Sequence, residues 1–217
     1  MNLKCPVAAR WQRKKEARPA EILDAALDLF VEKGFSATRM EEIARRAGVT
    51  KGTPYLYFSG KEDIFKAMIN EFLLNPLGTI QETVSARSGS RADLLHELME
   101  IWWHKVASRK AGGLCKLMIA EAANFPELTR YYHDELIQPG KNLVARIIRA
   151  GIDSGEFRDV PVDDAAEMLL APALMTMIDQ HSFLRAENGL PSSPADPLRY
   201  LHFALDMMLT GLNQPSR

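Results

Sequence analysis

The stretch that decides the fold is Met40-Glu41-Glu42-Ile43-Ala44-Arg45-Arg46-Ala47-Gly48-Val49-Thr50-Lys51-Gly52-Thr53. Ile43, Ala44 and Ala47 give its first half the small apolar face of a short helix, near Met40 to Ala47. Gly48 supplies the left-handed backbone that a tight turn requires. Val49 is an apolar residue for the core, and Thr50 is a good N-cap for a second helix through Phe58. Two short helices joined in this way make a helix-turn-helix. There the N-terminal part of the second helix enters the major groove while the first crosses the phosphate backbone. Taken alone, the pattern fits a plain helical corner about as well.

Working outward, Pro19 fits a first helical turn, and Ile22, Ala26, Leu29 and Phe30 share a face until Gly34 stops the helix. Ser59-Gly60 breaks the chain again. Ile64, Phe65, Met68, Ile69, Phe72 and Leu73 then form the stripe of a longer amphipathic helix. Further helices are expected at about 91–109, 113–123, 127–134, 136–153, 162–186 and 195–213. The segment 187–196 is rich in Pro, Ser and Gly and reads as an exposed loop. No alternating strand run occurs, so the expected fold class is all-α.

Thr50-Lys51-Gly52-Thr53-Pro54-Tyr55-Leu56-Tyr57-Phe58-Ser59-Gly60-Lys61-Glu62-Asp63-Ile64 closely resembles the signature of the TetR family of transcriptional regulators. Ile22-Leu23-Asp24-Ala25-Ala26-Leu27-Asp28-Leu29-Phe30 and Gly34-Phe35-Ser36-Ala37-Thr38 fit that family's first helix and turn. The resemblance implies a basic N-terminal arm (1–18), a three-helix helix-turn-helix DNA-binding domain (19–66) and a larger helical ligand-binding and dimerisation domain (67–217). It implies a homodimer on a pseudo-palindromic operator. Asn124-Phe125-Pro126-Glu127-Leu128-Thr129-Arg130-Tyr131-Tyr132 resembles an AefR-like subgroup of the family. One departure is Pro54, where the family usually carries a large apolar residue. Its missing N–H deletes the first bond of a helix capped by Thr50, so that helix is expected to start late or tilt.

Roles follow from side-chain chemistry. Lys51 and Thr53 lie in the first turn of the expected recognition helix, where lysine reaches guanine O6/N7 and threonine reaches a base or a thymine methyl. Gly52 lets backbone approach DNA closely. Tyr55 and Tyr57 offer hydroxyls to phosphates, with a structural aromatic as the lesser alternative for Tyr55. Thr38 and Arg39 open the preceding helix, whose amides favour phosphate, although Thr38 also reads as an N-cap alone. Lys61 opens the connecting helix and is expected to meet phosphate.

The charge distribution agrees with this division. The 217 residues carry a net charge of −1, but residues 1–66 hold 13 Lys/Arg against 9 Asp/Glu and the remainder 14 against 19. Arg10, Arg13, Lys14, Lys15 and Arg18 form either an arm over the minor groove or a solvated tail. Near-neutral overall charge argues against a general DNA-packaging protein. No apolar run approaches the ~20 residues of a membrane span, and no secretory leader is evident, so the expected location is cytoplasmic, without a membrane partner.

In the body, Leu198, Leu201, Leu205, Met208 and Leu212 follow a 3-4-3-4 seam, expected at the dimer interface. Tyr200, Phe203, Met207 and Gly211 add a second apolar face. Met99, Trp102, Trp103, Met118, Phe125, Met168, Met175 and Met177 are either core or the lining of a pocket for a small hydrophobic or aromatic effector. His104, Asp179 and His181 are candidate polar contacts. The five histidines lack metal-ligand spacing, and neither a nucleophile elbow nor a phosphate loop occurs, so no metal, cofactor or enzymatic activity is expected. The leading reading is a repressor released from its operator by a hydrophobic small molecule. The alternatives are a ligand-independent or activating regulator of the same fold, or a thiol redox sensor through Cys115; Cys5 reads as lying in a tail.

Overall fold

The computed structural model describes residues 6–85, 89–182 and 196–212. Cys5, most of the 187–196 segment and the expected helical ends at 183–186 and 213 lie outside the described residues. Within them, every regular element is helical. The chain forms two compact units, Met1–Ile69 and Asn70–Arg217. No described helix is long and apolar enough to cross a membrane.

The first unit contains α1 (Pro6–Lys33), α2 (Met40–Arg46), a single 3₁₀ turn (Pro54–Leu56) and α3 (Lys61–Ile69). Helix α1 begins at Pro6 rather than near Pro19, so the basic segment is helical backbone. Residues 8–17 are mostly strong helix formers, and they carry the helix through the bond that Pro19 cannot donate. Gly34 (φ 87°) ends α1 and Gly48 (φ 65°) turns the chain after α2; both occupy the left-handed region. Phe30, Phe35 and Phe65 pack together with centroid separations of 5.1, 6.1 and 5.5 Å, so the core joins α1, its following turn and α3. At the surface, Arg46 makes a fork of 3.0 and 2.8 Å to Glu32, and Lys33 reaches Glu42 at 2.6 Å, tying α2 to α1.

The second expected helix of the motif departs most from expectation. No α-helix runs from Thr50 to Phe58. Thr53 N–H bonds the Thr50 carbonyl (2.9 Å), and Leu56 N–H bonds that of Thr53 (3.1 Å), with Pro54 between them. Pro54 has no N–H to bond Thr50, so two tight turns replace one continuous helix. Thr50 therefore caps no α-helix; its hydroxyl pairs with that of Thr53 at 2.8 Å.

The second unit holds α4 (Asn75–Ser85), α5 (Arg91–Trp102), α6 (Gly112–Glu121), α7 (Pro126–Tyr132), α8 (Gln138–Asp153), α9 (Val162–Ser182) and α10 (Pro197–Leu212). Helix α9 packs on α6, α8 and α10, and α5 packs on α4, α8 and α10. Leu95, Leu143, Ile148, Phe157, Leu169 and Leu205 belong to its buried core. Gly151 is required there, because a Cβ would enter the Phe157 ring.

Two polar devices fix α5. Glu156 accepts Ser90 Oγ (2.7 Å) and the N–H groups of Arg91 (2.8 Å) and Ala92 (3.0 Å), covering orphan donors at the start of the helix. Burial pushes the Glu156 carboxyl up, but these donors outweigh it and hold it below the usual carboxylate range. Further along, His96 Nδ1 lies 2.8 Å from His202 Nδ1 of α10, with the rings stacked. The Nε2 atoms face Asp206 (3.0 Å) and Glu100 (3.1 Å).

Candidate nucleic-acid interface and effector cavity

The first unit exposes Arg39, Thr50, Lys51, Gly52 and Tyr55, while Thr53 and Tyr57 are half-buried. Tyr55 is 51% exposed and its neighbour Leu56 79%, the most exposed large apolar side chain described. Sequence reasoning missed Leu56 because a continuous helix gave no reason to single it out. Arg39 holds the N-cap position of α2, and Glu42 accepts its backbone N–H at 3.2 Å. Lys51 Nζ lies 3.1 Å from Glu41 Oε1. The Glu41 carboxyl is held below the usual range, first by its own backbone N–H and then by Lys51. Nothing lies within 4 Å of a Cβ built on Gly52, so this glycine answers no packing demand inside the chain.

Two expected DNA contacts face inward instead. Thr38 is 1% exposed, and its hydroxyl donates to the Gly34 carbonyl at 2.8 Å, so it holds the α1–α2 turn rather than a phosphate. Lys61 Nζ donates to the carbonyls of Phe35 (2.8 Å) and Ser36 (3.1 Å) and sits 4.8 Å from the Phe35 ring centroid. Its charge thus clamps that same turn.

The second unit encloses an apolar cavity of about 380 Å³. Three π-helical turns, Asn70–Leu74, Trp103–Ala107 and His133–Ile137, contribute Leu73, Val106 and the pair Leu136–Ile137 to its wall. A π turn inserts an extra residue and re-aims side chains, a feature frequent at functional sites. Met99, Trp102 and Met177 line the cavity. The adjacent indoles diverge: Trp102 faces the cavity, whereas Trp103 is buried without lining it.

The other expected lining residues lie elsewhere. Met118 is buried away from the cavity, Phe125 caps α7 and Asp179 is half-buried outside the wall. Met168 and Met175 are exposed, 61% and 55%. His104 is exposed, and His181 is buried against the Ala107 carbonyl at 2.8 Å. In their place the wall holds Tyr132, Lys141 and Glu167, which a search for soft or large apolar side chains passes over. Tyr132 donates its hydroxyl to Cys115 Sγ. Burial pushes the Cys115 thiol up to about 11, and the residue is 5% exposed. A redox sensor needs an exposed thiolate, so the Cys115 alternative fails.

On α10, Leu201, Leu205 and Leu212 are buried within the protomer, while Leu198 and Met208 are half-buried. Three of the five residues of the 3-4-3-4 seam are therefore core of the protomer. The exposed apolar faces are Tyr200, Phe203 and Met207 on α10 with Met168 and Met175 on α9, while Leu174, also exposed, belongs to the cavity wall beside Glu167.

Comparison with known proteins adds the following. Residues 22–68 match the profile of bacterial regulatory proteins of the tetR family, and residues 86–187 match the tetracyclin repressor-like C-terminal domain. That second match does not bear out the AefR-like subgroup. The chain is 31% identical to the HTH-type transcriptional regulator YfiR of Bacillus subtilis (strain 168) over 159 residues, 72% of this chain and 76% of that one. It is 30% identical to the HTH-type transcriptional repressor KstR2 of Rhodococcus jostii (strain RHA1) over 156 residues, 71% and 76% of the two chains. The fold is similar to that of SmeT in its triclosan complex, with a TM-score of 0.74 at 24% identity, covering 92% of this chain and 93% of that one.

Proposed function

The chain belongs to the TetR family of bacterial regulatory proteins and is a DNA-binding transcriptional regulator; from this premise we propose that it is a homodimeric repressor, released from a two-fold symmetric operator by a small apolar effector. The observation that carries the reading is the apolar cavity walled by three π-helical turns. Its shape and lining suit a drug-sized or lipid-like molecule. That KstR2 is a repressor, and that SmeT was solved with triclosan, supports the same direction.

The exposed faces of α9 and α10 are the surface we assign to the second copy. Two copies related by a two-fold axis present two recognition turns, so half-sites lie about 34–36 Å, or a multiple, apart. Arg39, Thr50, Lys51, Gly52, Thr53, Tyr55, Leu56 and Tyr57 form the DNA surface. Thr38 and Lys61 position it by holding the turn after α1. An effector favours one conformation of the protein over the other, and it shifts the equilibrium only by its differential affinity for the two.

The test is selection from a random duplex pool, with the complex sized by light scattering. A two-fold symmetric consensus bound by a dimer supports the reading; a monomer on an asymmetric site overturns it.

A further inference from the structure

Among the described residues, the cavity wall contains two charged side chains, Lys141 of α8 and Glu167 of α9, and they pair with each other. The Lys141 side chain is 33% exposed and that of Glu167 60%, so the pair sits at the rim with glutamate on the water side. We propose that this pair is an exchangeable acid site: the cavity takes an amphiphile bearing one carboxylate, whose head displaces Glu167 from Lys141. The proposal deepens the reading of the cavity as the effector site, and rests on it.

The exchange is favourable on three grounds. First, an exposed ion pair contributes little, so opening this one costs little, and the released Glu167 carboxylate returns to water. Second, the lysine stem is long and flexible, and lies along apolar surface while its ammonium stays at the mouth. A carboxylate at the rim meets that ammonium while the ligand body stays in the apolar interior. Third, the Tyr132 hydroxyl and the Cys115 thiol in the wall hydrogen-bond each other, so the body needs no polar atom to match these two groups. A cationic head would have to use the more exposed Glu167 and would leave Lys141, the more enclosed charge, without a partner. The arrangement therefore favours an acid over an amine.

The exchange also removes a tie between α8 and α9. A neutral ligand of the same body fills the cavity and leaves that tie in place. Acid and neutral ligands thus act differently on the packing of these helices, even when both bind.

The test uses the full chain and three probes of one chain length, dodecanoate, its methyl ester and dodecylamine, kept below micelle-forming concentrations. Binding is followed by tryptophan emission, since Trp102 lines the cavity. The wild type binds dodecanoate at least about fivefold more tightly than the ester. Lys141→Met, which keeps an apolar stem, abolishes that preference; Lys141→Gln replaces it if the first variant does not fold. Glu167→Gln, which removes the competing carboxylate, tightens the acid and leaves the ester unchanged. Equal binding of acid and ester, a preference that survives in the Lys141 variants, or tighter binding of the amine overturns the proposal while the cavity reading stands. If no probe binds, the cavity reading falls and takes the proposal with it.

Discussion

Lys51 Nζ and Glu41 Oε1 lie 3.1 Å apart, so this exposed lysine is paired with a carboxylate from the first turn of the preceding helix. On the proposed DNA surface, a base contact by Lys51 exchanges that partner for a base edge. Lys51→Ala is expected to weaken the selected duplex by about 1–3 kcal/mol and to relax preference at one base pair. Glu41→Gln frees the lysine and removes a negative charge beside DNA, so it raises affinity for unrelated duplexes and narrows discrimination. Fluorescence anisotropy on selected and scrambled duplexes measures both.

Gly52 gives a sharper separation of fold from recognition. A methyl group there meets nothing in the free chain, so Gly52→Ala leaves the melting temperature within about a degree or two of wild type. If backbone approaches DNA at this point, the same variant loses affinity. Thermal melting and anisotropy on one sample distinguish the two effects.

The dimer surface is testable by contrast within α10. Phe203 and Met207, 61% and 62% exposed, are replaced by Glu and Lys respectively; Leu205, 3% exposed, is replaced by Asp. The first double variant is expected to be a folded monomer with weakened operator binding. The second removes a core contact and lines the cavity with a charge, so it loses several kcal/mol and unfolds. Light scattering and circular dichroism report on both.

Glu156 and Cys115 give opposite pH behaviour. The folded Glu156 carboxyl is depressed, so its contribution is present above the unfolded value of about 4.3 and is lost as pH falls through the folded value. Glu156→Gln should cost about 1 kcal/mol at pH 7, with the difference shrinking below pH 4. Cys115 shifts the other way, to about 11, so the folded protein resists thiol-specific reagents at pH 8 and reacts only on unfolding.

Much of the fold is legible in the residues themselves. The apolar stripes of α1 and α3, and the glycines at 34 and 48, mark elements and turns through local physics. Pro54 announces trouble in the second helix, but that the helix breaks into two turns depends on how the rest of the segment packs. Which stripe of α10 faces inward is equally invisible: both are apolar, and only the positions of α5 and α9 decide that Leu201 and Leu205 are core while Phe203 is surface. Pairs far apart in sequence leave no local trace. Lys141 and Glu167, on consecutive helices, are one example, and His96 and His202, on α5 and α10, another; each pair meets only through the packing of its two helices. Lys61 is the inverse case, a cation whose position suggests phosphate and whose ammonium is spent on two carbonyls of its own unit.

In the proposed mechanism, effector and operator draw on one conformational equilibrium. The most direct measurement is a pair of titrations: affinity for the selected duplex with and without saturating dodecanoate, and affinity for dodecanoate with and without saturating duplex. Linkage requires the two ratios to be equal, and a functional effector requires them to be at least about fivefold. Unchanged affinity for the duplex in the presence of a ligand that fills the cavity would contradict the account.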